Sequence, residues 1–219
     1  MRNAYFDQLD TIVDDLVAMT NDVQVAVSRS THALLTADAE VAEQVISDDA
    51  ALDAARERVE RKSFELLALQ QPVAKDLRML VAGLRMVADL ERMGDLSVHV
   101  AKVARLRVPQ VAVPLELVPT IERMASVAEK MVGTAAGVIA ERDVEGARAM
   151  EEDDEEMDQL RRSSFRLMLA DSWEHGVEPA VDIALLGRYY ERIADHAVSL
   201  ARRVVYLVTG ETISAAAEV

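Results

Sequence analysis

The sequence predicts an all-α protein: two tandem antiparallel three-helix bundles, six long helices in all, related by internal duplication. Three observations carry this reading. Apolar residues recur at helical spacing along nearly the whole chain. Glycine (8) and proline (5) are too scarce for the many turns a β-sandwich of 219 residues would need. Acidic and apolar positions of the first half reappear in order in the second.

The first helix shows Phe6, Leu9, Ile12, Val13, Leu16 and Val17 on one face and Asp7, Asp10, Asp14 and Asp15 on the other, and reaches about Leu35. Thr36 and Asp38 offer capping oxygens for a second helix, which carries Val41, Val45, Leu52, Val59, Leu66 and Leu67. Gln71 is pushed out of the α region by Pro72, so the helix ends there, while Pro72 itself suits the first turn of the next. The third helix carries Leu77, Leu80, Val81, Leu84, Val87, Leu90 and Val98, and its pattern stops at Val108. Pro109, Pro114 and Pro119 follow in an otherwise nearly uncharged stretch. A fourth helix starts near Leu115–Thr120 and reaches about Ala140, a fifth begins at Asp143, and a sixth follows Pro179 and stops near Gly210. The expected organisation is therefore a first bundle over 1–107, a linker over 108–115, a second bundle over 116–211 and a flexible tail over 212–219.

The duplication is visible residue by residue. Asp38, Glu40, Ala42, Asp48, Asp49 and Asp53 correspond to Asp143, Glu145, Ala147, Asp153, Asp154 and Asp158. Glu91, Arg92, Asp95, Val98 and Ala101 correspond to Glu191, Arg192, Asp195, Val198 and Ala201. Pro72 and Pro179 do not correspond, so the third and sixth helices are entered differently.

Composition excludes several function classes. A net charge of −15 repels phosphate backbones and anionic lipid, and favours basic protein surfaces or cations. With no cysteine there are no disulfides, thiolate metal sites or cysteine nucleophile. The N-terminus lacks a signal-peptide core, and no apolar run is long enough to span a membrane, so the expected location is the cytoplasm without membrane insertion.

The chemistry-bearing feature is an acid followed four residues later by aspartate. It occurs as Asp49/Asp53, Glu91/Asp95, Asp154/Asp158 and Glu191/Asp195. Such residues lie one above the other on a helix face and repel each other by a few tenths of a kcal/mol. Two helices that each present such a pair could surround a hard cation such as Mg, Mn or Fe with carboxylate oxygens. Chance alone supplies roughly seven such pairs in a chain with this many acids, so only their matched placement in both halves carries weight. Arg92 and Arg192 leave a second reading open, in which the motifs are salt-bridge networks.

The segment Gln71-Pro72-Val73-Ala74-Lys75-Asp76-Leu77-Arg78, continuing to Leu90-Glu91-Arg92-Met93-Gly94-Asp95, resembles the signature of the PhoU family, and Tyr190-Glu191-Arg192-Ile193-Ala194-Asp195-His196-Ala197 resembles its second copy. The resemblance implies two tandem three-helix bundles and a homodimer or higher oligomer. It also implies metal ions (Mg, Mn, Fe or Zn) on Asp49, Asp53, Glu91 and Asp95 in one half and on Asp154, Asp158, Glu191 and Asp195 in the other. It implies a non-enzymatic negative regulator of the phosphate-starvation response, acting between a phosphate ABC transporter and a sensor histidine kinase. Asp182-Ile183-Ala184 replaces the fuller Lys75-Asp76-Leu77-Arg78 element in the second half, so partner contacts need not be equal.

Asp76, Arg78, Arg92 and Arg192 are the candidate partner-binding residues, and His196 is expected in a surface or partner role. His99 could supplement a metal site, and Trp173 is expected to pack. The internal glycines Gly83, Gly94, Gly133, Gly137 and Gly187 are explained by close helix crossings. The competing functions are a carboxylate-bridged metal oxidoreductase and a purely structural spacer. The first is disfavoured because no Glu is followed three residues later by His.

Overall fold

The computed structural model describes residues 2–150 and 154–211, the side chains of 2–4 and 154 excepted. The helices are α1 (Arg2–Thr36), α2 (Ala39–Gln70), α3 (Ala74–Arg107), α4 (Val118–Glu141), α5 (Val144–Ala149), α6 (Asp154–Met168) and α7 (Val177–Thr209). A single 3-10 turn, Leu115–Leu117, precedes α4, and no strand occurs among the described residues. The expected fifth helix is two segments, α5 and α6, with residues 151–153 outside the described residues; the expected tail over 212–219 also lies outside them.

The helix ends follow local chemistry and repeat with the duplication. Ala37 adopts the left-handed conformation (φ 53°) and Asp38 caps α2 by accepting a hydrogen bond from the Val41 amide at 3.0 Å. Arg142 (φ 55°) and Asp143 do the same for α5, with the Glu145 amide donating at 3.1 Å. The Asp38 amide reaches back to the Ala33 carbonyl at 3.1 Å, and the Asp143 amide to the Val138 carbonyl at 3.2 Å. A left-handed residue with a Cβ is strained by roughly 1–2 kcal/mol. Ala37→Gly is therefore expected to raise the unfolding free energy by about 0.5 kcal/mol, after the larger entropy loss of glycine is subtracted. Urea denaturation measures it.

The prolines explain their own mismatch. Gln71 is left-handed (φ 46°), Val73 is extended, and α3 begins only at Ala74, so Pro72 lies in the connection and not in a first turn as expected. Pro179 lies inside the first turn of α7, where its missing amide has no helical partner to lose. α7 ends at Gly210 (φ 80°), whose amide donates to the Tyr206 carbonyl at 2.8 Å.

Within the first half, α1 and α2 run antiparallel: Arg29 pairs with Asp48 at 2.8 Å and Lys62 with Asp15 at 2.6 Å. α2 and α3 are antiparallel too, with Arg105 on Glu43 at 3.0 Å. The second half repeats the arrangement with α4, α5/α6 and α7. The halves are pressed together along their length, α1 on α4 and α3 on α7, both antiparallel. Their apolar residues merge into one continuous core that includes Ile12, Met19, Leu90, Met124 and Ile183. Tyr190 is fully buried there, and its hydroxyl shares a 2.8 Å hydrogen bond with Thr31 of the other half. Burial of the phenol pushes its pKa well up.

Equivalent residues of the two halves meet at the centre of this contact. Gln24 Nε2 donates to the backbone carbonyl of Glu129, its own counterpart in the repeat, at 3.4 Å. A Cβ on Gly133 would sit 2.6 Å from the same Gln24 amide nitrogen, so this glycine does mark a close crossing. Gly137 does not. A Cβ there would meet nothing within 4 Å, and the crossing explanation fails for it. Trp173 packs partly against the core as expected, its indole N–H donating to the Gly176 carbonyl at 2.7 Å.

Candidate functional site

The sequence-predicted acids of the first half come together. Asp49 and Asp53 on α2 face Glu91 and Asp95 on α3, and Gly94 makes the approach possible. A Cβ on Gly94 would lie 2.3 Å from Leu52 Cδ2 and 3.2 Å from Asp49 Oδ1. Asp49 also lines a pocket of about 260 Å³ with Asp22, Arg29, Asp48, Leu52 and Gly94. Its carboxyl is held above the usual carboxylate range. Burial is the main cause, followed by the charges of Asp95, Asp53 and Glu91, against a small opposing effect of Lys102. The other three acids therefore all act on Asp49. Arg92 offsets part of the charge, reaching Asp95 at 3.1 Å and Glu91 at 3.5 Å.

The second half is built differently. Glu191 is nearly buried (side chain 12% exposed) and lies between Arg161 and Arg188, each at 2.9 Å. Asp158 is paired with Arg162 at 3.1 Å, and Asp195 is exposed. The Asp154 side chain lies outside the described residues. The duplicated motifs thus differ at their most buried acids: Asp49 lies beside three other carboxylates, whereas Glu191 lies between two arginines. Among the described residues, no three Asp, Glu or His side chains form a preformed ion cage. The first-half donors are all carboxylate oxygens, whose charges raise the Asp49 pKa and which suit a hard cation; in the second half Glu191 and Asp158 are already paired with arginines.

The candidate partner residues divide. Arg78 is half-buried against the end of α7, with its guanidinium 3.3 Å from where a Gly210 Cβ would stand. A cation there complements the C-terminal end of the helix dipole. Asp76 sits beside Tyr5 and, after burial, is the next cause raising that phenol's pKa. Arg92 and Arg192 are both exposed and line one groove between α3 and α7.

Sequence reasoning missed the polar links between the halves. Asp89 on α3 is buried and accepts from Arg203 Nε at 2.7 Å and contacts His196 Nδ1 at 3.1 Å, both on α7. Burial pushes the Asp89 carboxyl up, but the hydrogen bonds from His196 and Arg203 outweigh it and hold the pKa below the usual range. Arg107 reaches back to Asp182 at 2.6 Å. His196, for which a surface or partner role is expected, thus ties the two halves together within the chain. Helical spacing alone cannot reveal these links, because each joins residues far apart in sequence. The one signal was acids at otherwise apolar positions, Asp89 between Ala88 and Leu90 and Asp182 between Val181 and Ile183.

A family model described as "PhoU domain" matches the chain twice, over residues 16–104 and 121–204. The chain belongs to the PhoU domain family. The two matches fall on the two halves defined by the repeat. The chain is 46% identical over 210 residues to "Phosphate-specific transport system accessory protein PhoU homolog 2" of Mycobacterium tuberculosis, covering 96% of this chain and 99% of the relative. It is 45% identical to "PhoU homolog 1" of Mycobacterium leprae over 96% and 95% of the two chains. The crystal structure of PhoU from Pseudomonas aeruginosa is similar with a TM-score of 0.84 at 28% identity, covering 94% of this chain and all of that one. The phosphate transport system regulatory protein PhoU from Streptococcus pneumoniae shares the fold, with a TM-score of 0.86.

Proposed function

We propose that this protein is a cytoplasmic accessory protein of a phosphate transport system that represses the phosphate-starvation response without catalysing a reaction. It acts as an adaptor between the phosphate ABC transporter and a sensor histidine kinase, as a homodimer. The observation that carries the reading is the pair of family domains spanning both halves, together with 46% identity to a phosphate-specific transport accessory protein. No described helix is long and apolar enough to cross a membrane, which agrees with association through protein partners. Asp76, Arg78, Arg92 and Arg192 are the residues offered to those partners, Arg92 and Arg192 being the more exposed.

A metal ion belongs to this reading in the first half. Asp49, Asp53, Glu91 and Asp95 would hold it, and it would relieve their mutual repulsion and fix α2 against α3. Asp154, Asp158, Glu191 and Asp195 form the second candidate set, in which Glu191 would first have to leave Arg161 and Arg188. The deciding experiment is genetic. Deleting the gene and any paralogue is expected to leave starvation-induced phosphatase activity high in phosphate-replete medium, and the intact gene restores repression. Normal repression in the deletion strain sinks the reading.

A further inference from the structure

The groove between α3 and α7 stands out from the rest of a chain whose net charge is −15. It has a volume of about 500 Å³ and is lined by Arg92, Asp95, Leu96, His99, Arg188, Tyr189 and Arg192. That volume suits a small ligand. Its formal lining charge is three guanidiniums against one carboxylate. Arg92 is held by Asp95 and Glu91, and Arg188 by Glu191. Arg192 makes no ion pair among the described residues, although it is surrounded by an acidic protein.

The fold creates this cluster by symmetry. Arg92 and Arg192 are the same residue of the repeated motif, and the antiparallel α3–α7 contact brings both copies to one place. Beside them His99 and Tyr189 pack with ring centroids 5.3 Å apart, giving the groove an aromatic wall. Planar forks at fixed spacing recognise tetrahedral oxyanions with paired hydrogen bonds, and arginines already tethered by carboxylates lose little freedom on binding. Tyr189 and His99 could flank an apolar or aromatic group attached to that anion.

We propose that this groove binds a phosphate group, free or as a monoester, with Arg192 as its main ligand and Arg92 and Arg188 as auxiliaries. The proposal stands on the groove alone and does not need the regulatory reading. Isothermal titration of the full chain at low salt, with inorganic phosphate and phenyl phosphate in separate runs and sulfate as comparator, tests it. Saturable one-to-one binding is expected, at least tenfold tighter for one phosphate probe than for sulfate. Arg192→Ala should weaken it at least tenfold, and Arg192→Lys should weaken it less. Binding should also shift the imidazole NMR signals of His99 but not those of His32. Equal binding of the two probes assigns free phosphate as the source; preference for phenyl phosphate assigns a monoester. The proposal is overturned if neither probe binds, if sulfate binds as well, or if Arg192→Ala, shown folded by its thermal melt, binds unchanged.

Discussion

Asp89→Ala is expected to lower the unfolding free energy by about 3 kcal/mol, one of the two largest effects predicted for this chain. The carboxylate is 11% exposed and joins α3 to α7 through Arg203 at 2.7 Å and His196 at 3.1 Å. Removing it leaves a half-buried guanidinium without its counter-charge and opens the contact between the halves. The value sits at the low end for a buried pair because Arg203 and His196 keep some access to water. Urea unfolding at neutral pH measures it. The pH dependence gives a separate check. The folded carboxyl has a depressed pKa, so its contribution is complete above the unfolded value of about 4 and is lost as pH falls through the folded value. The gap between wild type and Asp89→Ala should therefore close as pH falls below about 4. A gap that persists unchanged at pH 3 would show that the ion pair is not its origin.

Gly94→Ala is the second. In an open helix, alanine in place of glycine stabilises by about 1 kcal/mol. Here the new Cβ would lie 2.3 Å from Leu52 Cδ2 and 3.2 Å from Asp49 Oδ1, so the buried Leu52 side chain must shift and Asp49 must give way slightly. Overpacking of this kind costs roughly 1–3 kcal/mol, which exceeds the propensity gain. The net expectation is a loss of about 1–2 kcal/mol, together with a disturbed carboxylate cluster. Gly137→Ala is the internal control. Nothing stands within 4 Å of its Cβ position, so the same substitution there should stabilise by up to about 1 kcal/mol. Opposite signs for one chemical change on two helices is the result that thermal and urea melts should show. A stabilised Gly94→Ala would mean that α2 and α3 are not in close contact at the acidic cluster.

The helices were legible because their signals are local. Apolar spacing fixes which face is buried, and Asp38, Asp143 and Gly210 mark ends through hydrogen bonds within a few residues. The acids of the candidate site were legible as residues but not as a site. Asp49 and Glu191 look equivalent in the sequence. The fold leaves the first half-buried beside the charges of Asp95, Asp53 and Glu91 and places the second between two arginines, Arg161 and Arg188.

By itself, the sequence determined the helical class, the duplication, the helix ends near 36, 71 and 210, and family membership through its motifs, because each rests on residues close together or on self-similarity. Only the tertiary structure decided which charges meet. Asp89 finds His196 and Arg203, Arg107 finds Asp182, and Arg92 comes to share a groove with its own repeat copy Arg192. Those pairings depend on how two similar halves are turned against each other. A duplicated sequence specifies each half twice over, but the offset and direction in which α3 lies on α7 come from packing across the whole contact.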